Sequence, residues 1–397
     1  MGSNKEQGTS HTPYINWYRQ LHKLQIDLTS HCNAACAACV RNYNGAETRP
    51  GLQLQHFDLE LFRRIAAEDT KGWYIRQMSW NGNWGDPLMH PDIIEMVNIW
   101  TTYHPETNIA IATNGAIRST KFWGEFAKAL KNASFHKVDF AMDGMADTHK
   151  LYRRKTSHAK LSENIKAFTD AGGHGVIYMT MFEHNKHQIA EVREHARSLG
   201  VRMFKARGSF TGDRVMEVQG MNEANTKFLP AGEADYTMKA WYPNDGQDRF
   251  TENDKQIDQE AVYFEENDKP ISGQRDAAFY SRFNNKFEEL MKDYIAVSKC
   301  PWQKEGEVQL DPWGVVWPCC HTSLYGGDGV MQDAINWDKE LAPGYKDIAN
   351  EIMKTCDLHN RPLKEILNNE FFDKTLNKVI IDAEWQVCRN NCGICKD

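Results

Sequence analysis

An α/β fold, with parallel strands wrapped by helices, is what this chain of 397 residues predicts. Two observations carry that expectation. Short runs rich in β-formers recur six times, the first five each followed by an amphipathic stretch, at a spacing of about 25–50 residues. The chain is also 41% hydrophobic, with 12 Trp, 14 Tyr and 18 Phe, which is apolar material for one large domain or two ordinary ones. The first predicted strand, "KLQIDLT" (23–29), precedes the helical pattern "DLELFRRIAAEDT", whose apolar residues are Leu59, Leu61, Phe62 and Ile65. "IRQMSW" precedes "PDIIEMVNIWTTYH", with Pro91 at the expected first helical position. "IAIAT" precedes "TKFWGEFAKALKNA", and "KVDFAM" precedes "LSENIKAFTDAGG", a helix stopped by glycine. "VIYMTMF" precedes "KHQIAEVREHARSLG", stopped in the same way, and "VRMFKAR" closes the series. Six such units fit an incomplete barrel and an open doubly wound sheet alike. In both, the chemistry gathers at the C-terminal ends of the strands.

Composition narrows the function. A net charge of −7, spread along the chain, gives no reason to expect a nucleic acid as partner. No apolar run approaches the roughly 20 residues that cross a membrane. The opening "MGSNKEQGTSHTP" is polar and has no hydrophobic signal core, so a cytoplasmic protein is expected. The ten cysteines gather at the two ends of the chain, with none between Cys39 and Cys300. In a long cytosolic chain that distribution reads as metal binding rather than as a disulfide framework.

The first group, in "DLTSHCNAACAACVRN", is Cys32, Cys36 and Cys39, spaced C-x3-C-x2-C in the loop leaving the first strand. Three thiols there give an iron–sulfur cubane three protein ligands and leave one iron open to bind another molecule. A zinc knuckle is the competing reading of the same residues.

This loop resembles the signature of the radical S-adenosylmethionine (SAM) enzymes. The resemblance implies that a [4Fe–4S] cluster on the three cysteines chelates SAM and cleaves it reductively to a 5′-deoxyadenosyl radical, which abstracts a substrate hydrogen. Four further segments resemble that family in order. "NWGDPLMHP" resembles its "GGEP" segment, which implies Asp86 as acceptor for the SAM ammonium. "ATNGA" resembles "TNG", with Thr113 and Asn114 near SAM, and "AMDG" resembles "SIDG", with Asp143 suited to a ribose hydroxyl. In "HKLYRR", Arg153 is placed to pair with the SAM carboxylate, and Asn185 is a weaker ribose candidate. The sequence departs from the family at Trp84, at Asp86 itself, at Ala141 and at Ala38, where an aromatic residue often packs near adenine. The resemblance covers about residues 22–207 and favours a partial (β/α)6 TIM-like barrel.

A second group lies at the C-terminal end. "CPWQKEGEVQLDPWGVVWPCC" reads as a β-hairpin around Pro-Trp-Gly, flanked by Cys300 and Cys319, and a helical pattern leads on to "CRNNCGIC". This resembles the Twitch domain, a short relative of the SPASM extension, and implies one auxiliary [4Fe–4S] cluster. Its ligands would be Cys300, Cys319, Cys392 and one of Cys388 or Cys395, with Cys320 spare and Cys356 a buried hydrophobe. A zinc ribbon suits four thiolates as well. The cysteines lack the C-x2-C-x5-C-x3-C run of a two-cluster extension.

The expected organisation is an N-terminal arm (1–21), the barrel (22–207), a bridging region (208–299) and the auxiliary domain (300–397). The bridge contains a polar, acidic stretch (244–276), read as surface excursions, and an amphipathic helix (279–297). Tyr178, Met179, Lys205, Arg207 and Arg41 are candidate substrate contacts, and the two basic residues of "FKAR" suit a carboxylate or phosphate. The expected protein is an oxidoreductase acting on a small molecule or peptide, reduced by a donor such as a flavodoxin or ferredoxin. The alternative is a non-catalytic, thiolate-rich zinc scaffold.

Overall fold

The computed structural model describes residues 21–42, 46–68, 73, 75–208, 215–241, 258–264, 300, 302, 306–320, 322–323 and 345–376. Cys388, Cys392, Cys395 and the helix expected over 279–297 lie outside the described residues.

Six strands follow one another through the first half of the chain: β1 (Lys23–Ile26), β2 (Gln77–Trp80), β3 (Asn108–Thr113), β4 (Phe135–Ala141), β5 (Gly175–Met181) and β6 (Met203–Gly208). They lie side by side in sequence order, and every neighbouring pair is parallel. That order decides between the two architectures left open by the pattern. A doubly wound sheet reverses strand order at a switch point. Here no reversal occurs, so right-handed crossovers put successive helices on one face and the sheet curls into a partial barrel.

Among the described residues the sheet has nine strands. β9 (Asp258–Tyr263) pairs antiparallel with β6 at one edge, and at the other β10 (Glu307–Leu310) runs parallel to β1 and carries β11 (Val316–Trp317) antiparallel. The expected hairpin therefore forms, and it continues the barrel sheet. β9 falls inside the stretch expected to be a polar surface excursion. Its pairing with the open edge of β6 supplies backbone hydrogen bonds that short-range periodicity does not report. A separate hairpin, β7 (Val215–Val218) with β8 (Tyr236–Lys239), also went unsignalled.

The barrel helices are α1 (Leu59–Ala67), α2 (Ile93–Tyr103), α3 (Thr120–Leu130), α4 (Ala146–Tyr152), α5 (His158–Asp170) and α6 (Ile189–Ser198). α7 (Tyr345–Thr355) and α8 (Leu363–Leu367) follow the β10–β11 hairpin. Asp58, Ser119 and Ser157 cap α1, α3 and α5 through side-chain acceptors for otherwise orphaned N–H groups. Pro91 stands outside α2, contrary to expectation; the proline that opens a helical turn is Pro87, in the short turn Pro87–Met89 capped by Asp86.

Outward-facing strand residues meet the helices in a dry layer. Phe140 of β4 packs against Trp123 of α3 (ring centroids 5.2 Å apart) and Phe168 of α5 (5.6 Å), and all three are fully buried. Side chains of this size contribute about 1.5–3 kcal/mol each on burial. The rigid layer leaves the strand ends free to carry a site. Among the described residues no helix is long and apolar enough to cross a membrane.

Candidate active site

The loop after β1 is shaped by its own polar residues. Ser30 Oγ donates to the Gln53 carbonyl (2.8 Å) and accepts from the Gln55 N–H (2.7 Å), while Thr29 Oγ1 meets His56 Nδ1 at 2.9 Å. Asn42 donates to the Cys36 carbonyl (3.0 Å), and the Cys39 N–H closes a turn on the same oxygen (3.2 Å). Arg41, expected as a substrate contact, is buried and donates to the Ser30 carbonyl (3.0 Å) and Thr48 Oγ1 (2.8 Å). Its guanidinium organises the loop and does not enter the lumen.

Gly85 explains why the next loop fits here. A Cβ at this position would stand 2.4 Å from the carbonyl oxygens of both Thr29 and His31, which are backbone atoms of the cysteine loop. The Asp86 N–H then donates to the His31 carbonyl at 2.9 Å. Gly85→Ala is expected to push the cysteine loop off the β2 end, and iron retained after reconstitution should fall by up to half, from about eight to about four per chain. Wild-type iron content in that variant would show the close approach to be dispensable.

Asp86 is the hub of the site. One carboxylate oxygen accepts from the Leu88 N–H (3.0 Å) and Thr113 Oγ1 (2.8 Å), the other from the Asn114 N–H (2.8 Å) and Asn114 Nδ2 (2.6 Å). Burial pushes its carboxyl up, and these donors, with Arg153, pull it back. Thr113 and Asn114 thus reach Asp86 from the end of β3. Asn114 Nδ2 also donates to Asn33 Oδ1 (2.8 Å), and Asn33 in turn donates to the Ala116 carbonyl (3.3 Å). Asn33, beside Cys32, ties the cysteine loop to β3. Sequence reading passed over it, because a lone Asn after a cysteine carries no signal of its partner.

The second network sits at the ends of β4 and β5. Asp143, fully buried, pairs with Arg153 Nε (2.5 Å) and accepts from the Thr180 N–H (2.5 Å). Arg153 Nη1 lies 3.4 Å from Cys36 Sγ. Asn185 is consumed locally, donating to the carbonyls of Asp143 (3.1 Å) and Thr180 (2.9 Å) and accepting from the Phe182 N–H. All five residues expected around SAM therefore converge, and Arg153 links their two networks to the cysteine loop.

Burial is the main cause that raises the Cys32 thiol, with Asp86, Cys36 and Cys39 adding to it; burial and then Cys36 raise the Cys39 thiol, while Arg41 and Arg153 work against the rise. Among the described residues no three His, Cys, Asp or Glu side chains converge as a single ion would require. A cubane asks for something else, since each cysteine meets a different iron. Soft sulfur donors with two guanidiniums beside them fit such an anionic cluster.

At the C-terminal end Cys300 and Cys319 are both buried, Cys300 within the main core, and Cys320 is half-buried. Cys319 and Cys320 lie beyond β11, where a helical turn begins. Cys356 is fully buried in the core, as anticipated. Trp84 donates from Nε1 to Ser323 Oγ (3.4 Å), joining the Asp86 loop to the Cys319 turn.

Fold and site together place three thiols and a buried polar network at the C-terminal rim of a partial α/β barrel. The model of the Radical SAM superfamily matches residues 26–196, somewhat less than half of the chain. Among curated relatives, the GTP 3′,8-cyclase of Nautilia profundicola is 27% identical over 127 residues, covering 32% of this chain and 36% of that protein. That of Desulforamulus reducens is 29% identical over 132 residues, covering 33% and 37%. The chain thus matches little more than a third of the length of these relatives. Among solved structures, Streptococcus suis SuiB superposes with a TM-score of 0.49 at 10% identity, covering 95% of this chain and 73% of that one.

Proposed function

We propose that this chain is an oxidoreductase that reductively cleaves SAM and uses the resulting 5′-deoxyadenosyl radical to take hydrogen from a small-molecule or peptide substrate. The observation that carries the reading is the convergence of Asp86, Thr113, Asn114, Asp143 and Arg153 on the loop of Cys32, Cys36 and Cys39. When bound, the [4Fe–4S] cluster supplies the electron and an open coordination position for SAM. The chain's part is to hold and shield. Asp86 and the main chain around it take the SAM ammonium, Arg153 its carboxylate and Asp143 a ribose hydroxyl. Thr113 and Asn114 keep Asp86 aligned by hydrogen bonding both its oxygens. Arg153, beside Cys36 Sγ, offsets the negative charge of the thiolates.

The auxiliary [4Fe–4S] cluster belongs to the same proposal, in a C-terminal domain of residues 300–397. Its ligands are Cys300, Cys319, Cys392 and one of Cys388 or Cys395. A flavodoxin or ferredoxin in the cytoplasm supplies electrons. Anaerobic reconstitution should yield about eight irons and eight sulfides per chain, with 5′-deoxyadenosine formed on adding SAM and reductant. Replacing Cys300 and Cys319 should halve the iron. Zinc in place of iron, or unchanged iron in that variant, would overturn the respective assignment.

A further inference from the structure

The barrel interior has one wall unlike the others. Along β4 and β6 burial alternates, with Val138, Phe140 and Phe204 fully buried toward the helices and the residues between them partly exposed. Those partly exposed residues face the lumen. Lys137, Asp139 and Ala141 share this face on β4. Strand register sets Tyr178 beside Ala141, and Lys205 beside Tyr178. Arg207 stands beside Thr180, whose N–H holds Asp143, so the wall runs up to the Asp143–Arg153 corner. Met179, one residue from Tyr178, is fully buried on the opposite face and drops out as a substrate contact.

Three cations surround one aromatic ring on that wall. Arg207 lies 4.6 Å from the Tyr178 centroid, Lys205 5.7 Å and Lys137 5.8 Å. The ring's electron-rich face holds them together despite their mutual repulsion. Lys137 also pairs with Asp139 Oδ2 at 2.9 Å. Asp139 Oδ1 is buried and has no hydrogen-bond partner among the described residues. Burial raises the Asp139 carboxyl, and Lys137, Arg207 and Lys205 all act against that rise, so the cations bear on one point. Both Lys205 and Arg207 have other partners as well; what matters is the charge gathered on the wall. The small side chains of Ala110, Ala112 and Ala141, partly exposed in the same register, leave room in front of it.

We propose that this wall is the substrate's anion subsite: a carboxylate or phosphate group seats against Lys205 and Arg207 over Tyr178, and a neighbouring hydroxyl or amine donates to Asp139 Oδ1. The inference rests on the function proposed above and gives that function a substrate class. The two anion chemistries share the same cations, and arginine meets either with two parallel N–H donors.

Titration calorimetry on the reconstituted, SAM-saturated protein tests it, with inorganic diphosphate in one arm and malonate in the other. SAM saturation keeps Arg153 occupied, so the probes report on the lumen wall. Wild-type protein should bind at least one probe, and the tighter one identifies the phosphate or the carboxylate as the group recognised. The double variant Lys205→Gln/Arg207→Gln should bind at least about tenfold more weakly, as expected for charge-assisted hydrogen bonds. Its iron content and thermal midpoint report whether it still folds. Should it fail to fold, Lys205→Gln and Arg207→Gln are read singly, each expected to bind several-fold more weakly than wild type. No binding of either probe by wild-type protein, or equal binding by the charge-removed variant, would overturn the subsite. Protein that makes deoxyadenosine but binds neither probe refutes only the subsite. Protein whose anion binding depends on Lys205 and Arg207 but which never cleaves SAM refutes the enzymatic reading and leaves the subsite standing.

Discussion

Replacing Cys32, Cys36 and Cys39 together by Ala is expected to abolish 5′-deoxyadenosine formation, to below detection in an anaerobic assay with dithionite. The iron that remains should be about four per chain, held by the auxiliary set. The fold should survive, because the loop is shaped by Ser30, Arg41, Asn42 and Asn33 rather than by its thiols. Each exchange removes a small side chain from a loop, which places it near the middle of the range for point substitutions, about 1 kcal/mol. The apo variant should therefore still unfold cooperatively, at a midpoint lowered by several degrees relative to the apo wild type. Retained SAM cleavage in the variant would remove the basis of the functional assignment.

Arg153→Met should produce the largest loss of stability of any single exchange in the site, about 3–5 kcal/mol by urea denaturation. The reason is the partner left behind. Asp143 has no solvent exposure, and without Arg153 it keeps the Thr180 N–H but loses its counter-charge. Most of that cost is the penalty of a buried, unpaired carboxylate rather than the worth of the pair itself. Adding Asp143→Asn should therefore recover much of the loss, since an amide needs no counter-ion. A double variant no more stable than Arg153→Met alone would show that Arg153 stabilises through packing on Tyr152, over whose ring it lies at 4.9 Å.

Much of the site is legible in the sequence because its parts are short and contiguous. Asp86, Thr113, Asn114, Asp143 and Arg153 each follow a recognisable strand, and parallel strands bring their ends to one rim whatever the loop lengths. Partners distant along the chain are not legible. Asn33 and Asn114 are 81 residues apart, and nothing local marks either as the other's ligand. Arg41 illustrates the opposite error. A basic residue beside a cysteine loop looks available, and only the fold reveals that the Ser30 carbonyl and Thr48 have claimed it. Met179 failed through parity: a residue one step from Tyr178 points to the other face, and the burial of each face is a tertiary property.

By itself the sequence determined the chemistry on offer: three thiols in one loop, a carboxylate after the second strand, cations on the last, and six β-rich runs of which five lead into a helical pattern. Those follow from residue type and short-range spacing, which folding does not alter. Tertiary structure alone decided that the strands lie in unbroken order, so that the sheet curls, and that the β10–β11 hairpin joins it beside β1. It also decided where the polar groups lie. Arg41 and Asn185 hold the protein's own backbone, and Lys205 and Arg207 stand on the lumen side of β6. The physical reason is that a polar side chain binds whichever partner the folded chain brings within about 3 Å, and that distance is set by packing between segments far apart in sequence.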